Sequence, residues 1–582
     1  MTAARHYRFA FLVTLISVLG LGACGNKNEQ PPPDAVAQKP QEWAAFRDGF
    51  IEDFFKAHPT VAVNAGRHEF DGQLPDWSAE GIAAEIKRLH AARDGAVALE
   101  GLSDEQRFER DYLVSRIDRD LFWLETAEAP FRNPTFYLDW MLDGLDPSVY
   151  LTREYAPLEQ RMRAYTAYAR AIPRAASQIK ANLRLPLPQT YVERGISAFG
   201  GFADFYEKEL PQVFAAVKDE ALQKELAEAN KAATAAMRDL ATWLEGDRKN
   251  ATQGYALGKE KFAQMLQMTE RVDTPLAELE AVGRADMKRN QEALKQTCEQ
   301  YAPGKEIEAC IAKARGDKPE GGPVQGAREQ LKGLKQFLID KQVVTIPSEE
   351  EALVNESPPY NRANFAYIDV PGPFEKGLPA VYYISPPDPS WPKEVQRDYL
   401  PGRADLLFTS VHEVWPGHFL QFLHSNRSNS TFGKLFVGYA FAEGWAHYGE
   451  EMMWEMGLGD GNPETHIGQL SNALLRNARF LSAIGLHTGG MSVTESERLF
   501  HEDAYQDVGS AKQQAARGTY DPAYINYTMG KLMIRKLRSD WTAERGGQKA
   551  WREFHDKFLT YGGPPIPMVR AAMLGKAEGS LF

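Results

Sequence analysis

The apolar positions of this chain recur mostly at intervals of three and four. Between 222 and 244 they fall at Leu222, Leu226, Ala229, Ala233, Met237, Leu240 and Leu244. At 3.6 residues per turn these positions form one stripe along a long helix. Similar patterns predict helices over 43–58, 104–126, 155–185 and 259–300, with breakers such as 185-LPLPQ-189 and 302-APG-304 between them. The segment 315-RGDKPEGGPVQG-326 predicts an exposed connection. One region departs from the helical rhythm. In 364-NFAYIDVPGPFEKGLPAVYYISPP-387 two β-prone runs, Phe365–Val370 and Ala380–Ile384, flank a Pro/Gly turn and predict a hairpin. The expected fold class is mainly α with a small β element, and no internal repeat interrupts it.

The N-terminus follows different rules. Arg5 and Arg8 precede the apolar run 9-FAFLVTLISVLGLGAC-24, which is short for a membrane span and reads as a secretory signal. Leu21-Gly22-Ala23-Cys24 resembles the bacterial lipobox, which implies cleavage before Cys24 and lipid on its sulfur. Gly25 after the cysteine implies an outer-membrane destination facing the periplasm. The polar, Pro-rich residues 25–42 predict a flexible tether. Cys298 and Cys310 remain, in a compartment that permits disulfides, and a bridge across the short acidic segment between them is expected.

At 582 residues, 43% hydrophobic and 25% charged, the body has an ordinary globular composition with ample core. A net charge of −12 argues against a nucleic-acid surface, which needs clustered Lys and Arg. Nucleophile-elbow, phosphate-loop and dinucleotide-fold signatures are absent.

The candidate chemistry lies in 411-VHEVWPGHFLQ-421. Catalytic zinc takes three protein ligands, usually His and carboxylate, and keeps a fourth position for water. His412 and Glu413 open the familiar H-E-x-x-H pattern, but Pro416 stands where the second His belongs and His418 follows two residues later. Six residues turn an ideal helix by about 240° net, which would splay the imidazoles apart. Pro416 and Gly417 supply a means of distortion that brings His418 back toward His412. Downstream, 441-FAEGWAHYGEEMMWEMG-457 places Glu443 and His447 one turn apart. Glu443 is the candidate third ligand, as in gluzincin-type proteases. His447 either orients a ligand from behind or replaces His418 if the helix does not bend.

Together these residues resemble the bacterial domain-of-unknown-function 885 family, a zincin-like group marked by H-E-x-x-P-G-H. His412, Glu413, Pro416, Gly417 and His418 carry the first motif, and Glu443, Gly444, Trp445, Ala446 and Tyr448 carry E-G-W-A-x-Y. The likeness runs from about residue 45 to the C-terminus and includes Pro186-Leu187-Pro188, the strand at 377–383, Gly485–His487, and Tyr527 with Gly530.

The resemblance implies a zincin-like, two-lobed helical metallopeptidase fold with the hairpin beside the motif helix. The expected division is an N-terminal lobe at 43–345 and a catalytic lobe at 346–582. It also implies zinc, with Glu413 as the base and Tyr527 as the oxyanion donor, His487 being the alternative donor. The expected activity is hydrolysis of short peptides at the envelope, with a lipid-anchored membrane association and no nucleic acid. A zinc amidase acting on cell-wall peptides and a non-catalytic binding or scaffold lipoprotein are the other readings.

Overall fold

The stripe from Leu222 to Leu244 lies on a helix spanning Glu220–Asp247, and all seven of its residues are buried. Asp219 starts it by accepting a hydrogen bond from the Leu222 amide, which satisfies one of the unpaired donors of the first turn. The buried face packs on the helices Leu158–Asn182 and Gln189–Lys208. In this computed structural model the described residues are 35–138, 144–358, 362, 365–575 and 579–582, with side chains from 42 onward.

Other helices begin and end for equally local reasons. Ser103 and Gln106 form a reciprocal capping box ahead of Asp104–Leu121. The run predicted at 259–300 divides into Lys259–Glu270 and Leu276–Tyr301, because Arg271 turns left-handed and Pro275 precedes the second helix. A helix, Ala35–Ala57, begins within the predicted tether and runs on past the buried Trp43. Cys24 and the signal segment lie outside the described residues.

Two hydrophobic cores organise the chain. One runs from Trp43 to Leu244 and the other from Phe262 to Met573, with Phe122 and Ala127 joining the second. The change of core therefore falls between Leu244 and Phe262 rather than at the predicted 345. Leu276–Tyr301 and Pro323–Lys341 account for this shift, since they pack on Pro463–Ile484 and Arg403–Glu413 respectively. Phe432 and Phe436 cross back into the first core, and Tyr112 donates a hydrogen bond to the Phe436 carbonyl at 2.8 Å. Burying each phenyl contributes about 1.5–3 kcal/mol, so this crossing ties the halves together.

The predicted hairpin forms as β2 (Ala366–Asp369) antiparallel to β3 (Ala380–Ile384), with Ala366 opposite Ile384 and Asp369 opposite Val381. An unpredicted strand, β1 (Ala352–Glu356), adds in parallel to the other edge of β3, giving the order β1-β3-β2. Cys298 and Cys310 are disulfide-bonded, joining the ends of successive helices. No described helix is long and apolar enough to cross a membrane.

Candidate metal centre

The first motif helix, Arg403–Glu413, stops one residue after His412, and a second short helix, His418–Ser425, begins at the delayed histidine. The backbone between them shows how. The Gly417 amide donates to the Val411 carbonyl six residues back, at 2.9 Å, where a regular helix would reach back four. Two extra residues are thus accommodated in the turn, and His418 returns to the side of His412. The Trp415–Pro416 peptide bond is cis. Gly417 is required by contact: a Cβ there would lie 1.7 Å from the His412 carbonyl oxygen. Trp445 holds the break from the opposite side by donating its indole N–H to the Pro416 carbonyl at 2.8 Å.

Glu443 reaches this break from the helix Tyr439–Glu455. Its Oε2 lies 3.2 Å from His412 Nε2 and 3.4 Å from His418 Nε2. One ligand atom from each of the three residues falls within 4.8 Å of the others. In a tetrahedral zinc site with bonds of about 2.0–2.1 Å, neighbouring ligand atoms stand roughly 3.3 Å apart. The two distances to Glu443 match that edge, and the donor set is one zinc accepts. Burial raises the Glu443 pKa, but His418 and His412 outweigh it and hold the carboxyl well below its usual range. Burial likewise pushes His412 down, while hydrogen bonds to Glu443 and Glu450 carry it up to about 9.

Glu450, which the sequence reads with Glu451 and Glu455 as part of an exposed or supporting face, stands buried behind His412. Its Oε1 lies 2.7 Å from His412 Nδ1 and 3.3 Å from an Arg476 nitrogen, and its carboxylate is sealed from solvent. Burial would raise its pKa, but Arg476 and the two histidines hold it far below the carboxylate range. A histidine whose outer nitrogen is tied to a carboxylate presents the other nitrogen in a fixed orientation. Glu443, His447 and Glu450 fall at i, i+4 and i+7, one helical face, which was the available signal. Arg476, on the helix Pro463–Ile484, had none.

His447 does not join the cluster. It lies behind it, buried, with Nδ1 3.5 Å from the other Glu450 oxygen. Burial, reinforced by Lys531, lowers its pKa to about 4. His418 therefore takes the second histidine position. Glu413, at the end of the motif helix, is buried beside both histidines. Burial raises its pKa against their opposing charge.

Tyr527 stacks its ring on His412, with centres 6.3 Å apart and planes at 17°. It stands there because two helices cross closely. A Cβ on Gly530 would lie 2.2 Å from the Ala440 carbonyl, and one on Gly444 would lie 2.5 Å from the Gly530 Cα. Glu270 bridges the starts of the same helices, accepting from the Asn526 amide group at 3.0 Å and the Ala440 N–H at 3.4 Å. Burial raises this carboxyl to about 7.

His487 is placed elsewhere. Its Nε2 donates to the Gly518 carbonyl at 2.8 Å and its Nδ1 accepts from the Leu257 amide at 3.3 Å. It lines a cavity of about 290 Å³ whose walls include none of the cluster residues. The alternative oxyanion role is corrected accordingly: both ring nitrogens are committed to backbone, one in the loop at Leu257 and one in the helix Val508–Tyr520.

The arrangement is that of a mainly helical protein with a two-histidine, one-carboxylate cluster at a helix break, in which His412 is buried and His418 and Glu443 are half-buried. Residues 59–573 match the family described as bacterial protein of unknown function (DUF885), and the chain belongs to that family. Two solved structures share its fold. A lipoprotein candidate of unknown function from Shewanella oneidensis is 23% identical, covering 91% of this chain and 99% of its own, with a TM-score of 0.75. A lipoprotein candidate from Colwellia psychrerythraea is 14% identical, covering 92% and 99%, with a TM-score of 0.78. No curated protein matches the chain.

Proposed function

We propose that this chain is a zinc-dependent peptidase with a zincin-like, two-lobed body that hydrolyses short peptides at the cell envelope. The observation that carries the reading is the convergence of His412, His418 and Glu443 on one point, with Glu413 adjacent. Zinc bound there supplies an acidified water and polarises the scissile carbonyl. Glu413 takes the attacking water's proton and passes it to the leaving amine. Tyr527 donates its hydroxyl to the oxyanion that forms beside His412. Glu450 keeps the His412 ring in one orientation throughout.

The lipobox-like segment that closes at Cys24 and the two structural neighbours described as lipoprotein candidates support an envelope location. The lipid anchors the body to the outer membrane, facing the periplasm. The test is elemental analysis together with a peptide-library digest read by mass spectrometry. About one zinc per chain and discrete cleavage are expected, with Glu413→Gln retaining zinc and losing cleavage. A chain that binds no zinc is a scaffold, and unchanged turnover in Glu413→Gln removes the base.

A further inference from the structure

Five arginines are buried among the described residues: Arg161, Arg476, Arg479, Arg538 and Arg570. Three face carboxylates, Arg476 with Glu450 at 3.3 Å, Arg538 with Glu455 at 2.7 Å and Arg570 with Asp540 at 2.7 Å. Arg161 spends its donors on the carbonyls of Tyr150, Leu151 and Ala156.

Arg479 does neither. Its only hydrogen bond to a described residue runs from Nε to the neutral Gln514 Oε1 at 2.8 Å. No described carboxylate stands within ion-pair reach of it. Its charged neighbours, Arg517 and Arg476, repel it, and burial adds to the cost. Arginine does not escape such a setting by losing its proton, so a buried guanidinium without an anion is a standing expense in folding free energy. Neither terminal nitrogen hydrogen-bonds to a described residue and, unlike Arg476 Nε, neither is sealed from solvent.

Position gives this cation a use. The guanidinium lies 4.7 Å from the centre of the Tyr527 ring, which meets the Tyr439 ring at 5.9 Å and stacks on the His412 imidazole at 6.3 Å. Laid end to end, these contacts place it no more than about 11 Å from that imidazole. Extended chain covers about 3.3–3.6 Å per residue, so this span holds one to three residues. A guanidinium fork pairs best with a carboxylate through two parallel hydrogen bonds.

We infer that Arg479 receives the free α-carboxylate of the peptide substrate, so that cleavage falls one to three residues from a C-terminus. This rests on the peptidase reading above and narrows its substrates to peptides with an unblocked C-terminal end. Gln514 orients the fork through Nε and leaves the terminal nitrogens for the ligand.

The experiment compares one short peptide as its free acid and as its C-terminal amide, using the zinc-loaded full chain. The acid is expected to be cleaved with a kcat/KM at least about 30-fold higher, the scale of losing one partner of a desolvated charge pair. Arg479→Met brings the acid-to-amide ratio close to one, and Arg479→Lys restores part of it. The same two peptides are titrated calorimetrically into Glu413→Gln protein, where tighter binding of the acid is expected. Equal cleavage of acid and amide, equal affinity, or no binding of either overturns the assignment. Preferential binding of the acid without cleavage by the wild-type chain keeps the Arg479 site and removes the peptidase reading. The wild-type comparison needs no variant, so it decides the question even if Arg479→Met folds poorly.

Discussion

Glu450 Oε1 stands 2.7 Å from His412 Nδ1, and the opposite nitrogen of the same ring stands 3.2 Å from Glu443. One imidazole thus connects a buried carboxylate, itself anchored by Arg476, to the point where three candidate ligands meet. With Nδ1–H given to Glu450, Nε2 keeps its lone pair for a cation.

That relationship predicts the consequence of removing the outer charge. Glu450→Gln preserves size but removes the anion that fixes and polarises the ring. Zinc affinity should fall about 10- to 100-fold, the usual effect of losing a carboxylate behind a ligand histidine. Competition against a chromophoric chelator measures it directly. An unchanged affinity would mean that the His412 ring is held by packing alone.

The helix break makes a second, steric prediction. Gly417→Ala places a methyl 1.7 Å from the His412 carbonyl oxygen and 2.3 Å from its carbon. Both are backbone atoms, so relief requires opening the turn that returns His418. Destabilisation at or above about 3 kcal/mol is expected, the upper end of ordinary overpacking, together with loss of stoichiometric zinc. Gly449→Ala is the control, since its methyl meets only the Pro416 ring, Cγ at 3.6 Å and Cδ at 3.9 Å, both ordinary contacts. Wild-type melting and zinc content in Gly417→Ala would show that the turn is not tight.

Much of this was legible in the sequence because it is local. The Leu222–Leu244 stripe, the hairpin and the distorting Pro416-Gly417 step all express rules acting within a few residues. What escaped depends on distant partners. β1 is a short strand with two polar residues at its end, and only its pairing with β3 identifies it. The core boundary near 250 follows from which helices accept Leu276–Tyr301, not from any linker composition. Glu450 shared a helical face with Glu443, but its role needed His412 from another helix. The isolation of Arg479 is the extreme case, because a missing counter-ion has no sequence signature. His487 failed the other way: its place in a recognisable motif suggested chemistry, while its contacts are those of a structural clasp.

That clasp predicts a pH dependence of stability that does not involve the metal. Burial lowers the His487 pKa to about 4, against an ordinary value of 6.5, despite the opposing hydrogen bond to Gly518. A proton on Nδ1 would abolish its role as acceptor for the Leu257 amide. The folded state therefore takes up this proton less readily than the unfolded chain. Its contribution is complete above about pH 6.5 and declines as the pH falls toward 4. Below that the loss is constant, at most about 3 kcal/mol for a shift of this size. His447, lowered to about 4, and His555, lowered to about 3, act in the same direction. Urea denaturation of chelator-stripped protein between pH 4.5 and 7.5 measures the His487 contribution as a difference between two proteins, because Glu270, raised to about 7, and His412, raised to about 9, act in the opposite direction. His487→Gln keeps a donor for Gly518 but cannot titrate, so it should gain less stability than the wild type, or lose more, between pH 4.5 and 7.5. Parallel curves for the two proteins would mean that His487 takes up its proton as readily in the fold as in the unfolded chain, and the clasp would have to be drawn differently.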